Sequence, residues 1–294
     1  MPLGIDPTVD YAFKRLFGDP ANSDLLIHLL NAVLAPASPI VEVLILNPFN
    51  EKEFADDKLS VLDIKARDAR RAWFNVEMQG KALGWLRQRI AYYNASLFVD
   101  QLGEGEHYHT LLPAISICFL KEPLFPGVAA PHLRFTLNDC EHGVQLSESL
   151  DIHTIELPKY NYDGHSLSAA NSLVQWAFFL DRAAGLEAAE LKRLLPAREY
   201  TKATEIMETI ARTPQERQLY ESRRKAEMDY RAGLDEALAL GLERGERLAL
   251  LDQVQFLQGL LEEPLSAQSQ LQAMDLENLR RLCGELKDRL RQAR

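Results

Sequence analysis

Apolar and polar positions alternate most regularly in residues 58–79, KLSVLDIKARDARRAWFNVEMQ. Two stretches there repeat with a period of two, as half-buried strands do. In the first, Ser60, Leu62, Ile64 and Ala66 share one face, and Leu59, Val61, Asp63 and Lys65 share the other. In the second, Ala72, Phe74, Val76 and Met78 oppose Trp73, Asn75, Glu77 and Gln79. The charged segment between them reads as a turn, so the pattern predicts a hairpin with arms at 58–67 and 71–79.

Both apolar faces must lie on one side of the sheet, because a one-residue slip would turn core side chains to solvent. Paired positions therefore sum to an even number, and sums of 138, 140 or 142 set Asp63 across from Asn75, Glu77 or Gln79. In each register Asp63 and Glu77 are opposed or diagonal, roughly 4.5 to 8 Å apart at Cβ. Carboxylates this close repel one another unless compensated. A hard divalent ion would compensate them, since magnesium takes one or two carboxylates together with waters and substrate phosphate. The alternative is a pair of solvated charges on an exposed sheet face, neutralised by Lys65 and Arg71.

Helical spacing dominates on either side. Residues 6–35 predict a helix that Asp6 or Thr8 could cap, with Val9, Phe13, Leu16 and Phe17 as its apolar stripe. Gly18-Asp19-Pro20 breaks it, and Leu25, Leu26, Leu29, Leu30, Val33 and Leu34 carry the stripe onward. Asp10 and Lys14 are spaced as a surface i, i+4 pair. A strand follows at 40–46, and beyond the hairpin a helix at 83–102 with Leu86, Ile90, Tyr93 and Leu97 inward, ended by Gly103 and Gly105. Residues 114–120 predict a buried strand. The order is α-β-β-β-α-β. After a proline-rich loop come strands at 132–137 and 150–157 and a helix at 167–180, in which Trp176 reads as core. From 197 onward the pattern is helical and charged. Gly233, Ala237, Gly241, Gly245 and Ala249 place a small residue at every fourth position. Glycine costs up to about 1 kcal/mol per helical position, so this stripe predicts a close helix contact and self-association. The segment 265–290 keeps helical spacing through Leu271, Met274, Leu276, Leu279 and Leu282.

Composition narrows the class. With 294 residues, 47% hydrophobic and 26% charged, the chain has the profile of a soluble globular protein. The longest nearly apolar run, 111–120, is too short to span a bilayer, and no secretory signal is visible. Three scattered cysteines, Cys118, Cys140 and Cys283, predict neither disulfides nor a zinc site, so a reducing cytoplasm is the expected location. His107 and His109 could bind a metal or simply form a polar loop. A net charge of −10 argues against non-specific coating of nucleic acid. Between Asp63 and Arg89, however, Lys65, Arg67, Arg70, Arg71, Lys81, Arg87 and Arg89 outnumber Asp63, Asp68 and Glu77. That local excess could steer a phosphate-bearing substrate.

The motifs DYAFKRLFGDP, LLNAVL, LDIKARD, NVEMQ, RIAYYNASLF with QLGEGEHY, and IELPKY closely resemble, in this order, those of the Rpn family. These are recombination-promoting nucleases, often labelled transposases, within the PD-(D/E)XK nuclease superfamily. The resemblance spans roughly residues 6–160, and more loosely the glycine-spaced tail. It implies an α/β fold with a restriction-endonuclease-like core, α-β-β-β-α-β, whose mixed sheet is flanked by helices. The nuclease-like domain would occupy 1–185, and a helical C-terminal region at 186–294 would make homo-oligomers. By the same resemblance Asp63 is the motif aspartate, Glu77 and Gln79 are the E-x-K element with glutamine for lysine, and Asp10 is the acidic residue of the first helix. Arg89 and Tyr93 match the arginine and tyrosine of the helix after the motif. Leu62 stands where the proline would be.

The expected activity is Mg²⁺-dependent DNA endonuclease, with Mn²⁺ as a possible substitute. Asp63, Glu77 and the backbone carbonyl of Met78 would hold the ion, and Gln79 would position the water. Lys14, Lys65, Arg89 and Tyr93 would meet the substrate. The rival expectation is a catalytically silent scaffold assembled through its tail. A strand-joining transposase would need a DNA-recognition domain that the sequence does not show.

Overall fold

Helix α1 (Asp10–Phe17) buries Tyr11, Ala12, Phe13, Leu16 and Phe17, and α2 (Ser23–Leu34) buries Leu25, Leu26, Leu29, Leu30 and Val33. Between them Asp19 caps a short 3₁₀ turn at Pro20–Asn22, where the sequence predicts the break. The cap of α1 differs from expectation. Val9 occupies the N-cap, while the Asp6 carboxylate accepts from the backbone N–H and hydroxyl of Thr8 and so closes the turn ahead of the helix. The computed structural model describes residues 1–47, 63–103, 105–162 and 167–292.

Strands β1 (Val43–Ile45), β2 (Asp63–Asp68), β3 (Trp73–Gln79), β4 (Ala114–Leu120), β5 (His132–Asn138) and β6 (Gln145–Glu156) form one sheet in the order β1-β2-β3-β4-β6-β5. β3, β4 and β6 are parallel, and the remaining neighbours pair antiparallel. Helix α3 (Leu86–Val99) connects parallel β3 and β4, as such a crossover requires.

One face of the sheet presents Ile64, Ala66, Phe74, Val76, Met78, Ile117, Phe119 and Ile155 to α1, α2 and α4 (Ser172–Arg182). Trp176 of α4 is fully buried there, its ring edge-on to Phe17 and Tyr200 and its indole N–H donating to His28, so it is core as predicted. On the other face α3 sets Leu86 and Ile90 against Cys118, Leu120 and Leu124. The α-β-β-β-α-β order and the mixed, helix-flanked sheet are those expected.

Several boundaries move. The expected strand at 40–46 contracts to β1 because the Asn31 side chain takes both the N–H and the C=O of Ile40, at 2.8 Å each. The part of the first hairpin arm at 58–62 lies outside the described residues. In α3 it is Asn94 rather than Tyr93 that holds the buried position between Ile90 and Leu97. β6 starts at Gln145, five residues before the predicted start, and pairs through an irregular register with β5. His107 caps, and His109 lies within, a solvent-exposed 3₁₀ turn at Tyr108–Thr110, with their rings stacked.

The chain divides into two units, Met1–Lys225 and Ala226–Arg294. The core of the first also takes in Leu191 of α5 (Ala188–Leu194), Tyr200, Ala203 and Met207 of α6 (Arg198–Arg212), and Tyr220. Tyr220 lies on α7 (Pro214–Leu260), which crosses the division. In the second unit, Leu251, Val254 and Leu257 of α7 pack with Leu271 of α8 (Gln268–Ala273) and with Leu279, Cys283 and Leu286 of α9 (Leu276–Gln292). No helix among the described residues is long and apolar enough to cross a membrane.

Candidate active site

The hairpin of β2 and β3 is fixed by its turn. Asp68 accepts the Ala72 N–H on its side chain at 2.8 Å, the Arg71 N–H donates to the Asp68 carbonyl, and Arg71 turns the chain with φ of +68°. From there the ladder runs Arg67↔Trp73, Ala66↔Phe74, Lys65↔Asn75, Ile64↔Val76 and Asp63↔Glu77. Of the three registers the alternation allows, the chain takes the one with Asp63 directly opposite Glu77.

Asn75, Glu77 and Gln79 follow one another at every second residue of β3 and so share a face. Glu77 is only 3% exposed, which overturns the alternative of a solvated carboxylate on an open sheet face. α3 packs against β3, β4 and β6 on that side, so both faces of the strand are covered. The Asn75 Nδ2 donates to Glu77 Oε1 at 2.6 Å, and the Gln79 Nε2 donates to Oε2 at 3.0 Å. Among the described residues no lysine, arginine or histidine forms an ion pair with this carboxylate. A buried charge usually requires a paired charge or a metal ion. Neutral amides on both oxygens leave that requirement open.

The orientation of Gln79 follows from the same contact. A carboxylate only accepts, so the amide nitrogen faces Glu77 and the amide oxygen faces away. The site therefore gains an acceptor where a lysine would supply a cationic donor. Met78 sends its side chain into the core, paired in register with Phe119, and offers the site only its backbone.

The other predicted residues are placed as follows. Asp10 opens α1 and lies 3.6 Å from the Lys14 ammonium, the two side chains being 14% and 13% exposed, so the pair is largely buried rather than on the surface. The start of α1 is tied to the Gln79 end of the sheet. Lys121, just after β4, donates its N–H to the Gln79 carbonyl at 3.0 Å and its ammonium to Asp6 at 2.9 Å and Thr8 at 2.7 Å. Burial pushes the Asp6 carboxyl up, but Lys121 and the bonds from Thr8 outweigh it and hold the group below the ordinary value. Lys65 pairs with Asn75 in register, with an exposed side chain and its N–H bonded to Asn47. On α3 the Arg89 guanidinium lies 5.7 Å from the Trp85 ring and 5.3 Å from the Tyr93 ring. Its Nε is buried without a hydrogen-bond partner among the described residues.

Two buried amides, Asn94 and Asn75, also bear on the site. Asn94 is 1% exposed and donates to the Ala114 carbonyl at 2.9 Å and to Ser116 Oγ at 3.0 Å, pinning α3 to the strand beside β3. Its signal was present, as an amide at core spacing between Ile90 and Leu97. Asn75 was visible as the first member of N-x-E-x-Q.

A mixed sheet with helices on both faces defines an α/β protein, and in it a buried glutamate stands opposite an aspartate position. The family model described as PD-(D/E)XK nuclease family transposase matches residues 7–237, and the chain belongs to that family. No curated protein and no solved structure matches it. Membership carries a nuclease-type, hydrolytic function acting on DNA. Nucleases of this kind generally use a divalent metal, and the described oxygen donors here, the Glu77 carboxylate and the amide oxygen of Gln79, are of the kind a hard ion takes. Among the described residues no group of three or more His, Cys, Asp or Glu side chains is placed to hold a metal ion.

Proposed function

We propose that the chain is a Mg²⁺-dependent DNA endonuclease, with Mn²⁺ able to substitute, and that its chemistry is carried by Asp63, Glu77, Gln79 and Asp10. The supporting observation is the buried Glu77 carboxylate, which bears only amide donors and lies opposite the Asp63 position. Asp63 and Glu77 hold the ion with the backbone carbonyl of Met78, and Asp10 orders the site from α1. A bound ion supplies acidification of a water and neutralisation of phosphate charge. Gln79 accepts a hydrogen bond from the attacking water through its free amide oxygen. Because glutamine takes up no proton, that proton leaves to a phosphate oxygen of the substrate or to solvent as the P–O bond breaks. Lys14, Lys65 and Arg89 meet the phosphates, and Tyr93 braces Arg89.

On this reading residues 1–185 hold the nuclease function and the helical region 186–294 assembles copies of the chain in the cytoplasm. Leu238, Leu242 and Leu248 of α7, exposed beside the small-residue stripe, favour that assembly. They equally favour the rival reading, a silent nuclease fold kept as a scaffold. Incubating supercoiled plasmid with purified protein and Mg²⁺ separates the two. Nicking that disappears in Asp63→Ala supports the endonuclease. Cleavage that persists in that variant places the chemistry elsewhere, and no cleavage by the wild type supports the scaffold.

A further inference from the structure

We propose that Asn75 is a positioning residue of the metal centre, acting on the ion through Glu77; this rests on the metal-dependent reading above. The terminal torsion of a glutamate is broad and roughly two-fold, so a single donor would leave the second carboxylate oxygen free to swing. Asn75 and Gln79 lie two residues before and two residues after Glu77 on the same strand face, and each donates to a different oxygen. Together they fix the plane of the carboxylate, and with it the direction in which the remaining lone pairs point. Removing Asn75 leaves the clamp one-sided.

A purely structural role fits poorly. Asn75 is 2% exposed, yet its Oδ1 is buried with no hydrogen-bond partner among the described residues. An unsatisfied buried acceptor is destabilising, and an apolar residue of similar size avoids it. At this position the amide is useful for the one bond it makes, the 2.6 Å bond to Glu77. Groups that orient a metal ligand typically change ion affinity by about 10- to 100-fold when removed.

The test measures Mn²⁺ binding by titration calorimetry, with thermal unfolding in metal-free buffer, for wild type, Asn75→Leu, Asn75→Ser and Glu77→Gln. The expected result is binding at least about tenfold weaker in both Asn75 variants, an unfolding temperature in Asn75→Leu no lower than wild type, and no binding in Glu77→Gln. Wild-type affinity in a folded Asn75 variant, with Glu77→Gln silent, would overturn the role of Asn75 and leave the nuclease reading standing. If Asn75→Leu fails to fold, Asn75→Ser decides by the same criterion. A wild type that takes up no Mn²⁺ would overturn the metal-dependent reading itself, and this proposal with it.

Discussion

Asp63 stands directly opposite Glu77 in the pairing of β2 with β3, and on the proposed reading the two hold one ion. Their substitutions should therefore not add. Asp63→Asn and Glu77→Gln should each lower the plasmid nicking rate by a similar large factor, and the double variant should be no worse than either single, the behaviour of residues in contact. Measured rates in which the two losses multiply would separate the roles.

Gln79 donates to Glu77 through its nitrogen, and in the proposed mechanism it orients the attacking water through its oxygen. Gln79→Met should weaken ion binding, and at saturating Mg²⁺ the cleavage rate should remain down by about 100-fold, the cost of misplacing a reacting group by about 1 Å. An Asn75 variant should recover at saturating Mg²⁺, because it acts on affinity alone. Rate against metal concentration distinguishes the two residues.

The carboxylate pairing could be read in advance because the apolar faces of both arms had to coincide, which left three registers that all brought Asp63 near Glu77. The strand Ala114–Leu120 was equally legible, since AISICFL is an apolar run broken only by Ser116 between Pro113 and Lys121. What escaped depends on side chains that bond to backbone a few residues away. Asn31 clasping Ile40 shortens β1, and Asp6 turning to Thr8 leaves the cap of α1 to Val9. Neither leaves a periodic trace. The alternation along β3 implied a wet polar face, but α3 covers it, and burial of Asn75 and Glu77 is a property of that packing. The first residues of β6, QLSES, pair with β5 where neither face is buried, so no alternation marks them.

The ion pair between Asp6 and Lys121 should show in the pH dependence of stability. A carboxyl whose folded pKa lies below its ordinary value of 3.8 stabilises the fold above that pH and loses the contribution as pH falls through the folded value. Asp6→Asn should lower stability at pH 7 by no more than about 1 kcal/mol, since the side chains are about a third exposed and solvent screens the pair. The gap from wild type should close below pH 3.8. Urea unfolding at both pH values checks it, and a gap that widens in acid would contradict the assignment.

The small-residue stripe on α7 makes a separate prediction. A Cβ added at Gly233, Gly241 or Gly245 meets nothing within 4 Å. Larger residues there should raise helix propensity by as much as about 1 kcal/mol each, and should harm only a partner packed against the stripe. Sedimentation should show an oligomer for the wild type and a monomer for Gly241→Leu/Gly245→Leu. Unchanged sedimentation would remove the stripe from the interface.

On the proposed reading Asp63 and Glu77 share one divalent ion. Crystals grown with Mn²⁺ and measured at the manganese edge test this, and the expected result is an anomalous peak within coordination distance, about 2.0 to 2.3 Å, of carboxylate oxygens from both residues. A peak bound elsewhere, or none at millimolar Mn²⁺, would contradict it.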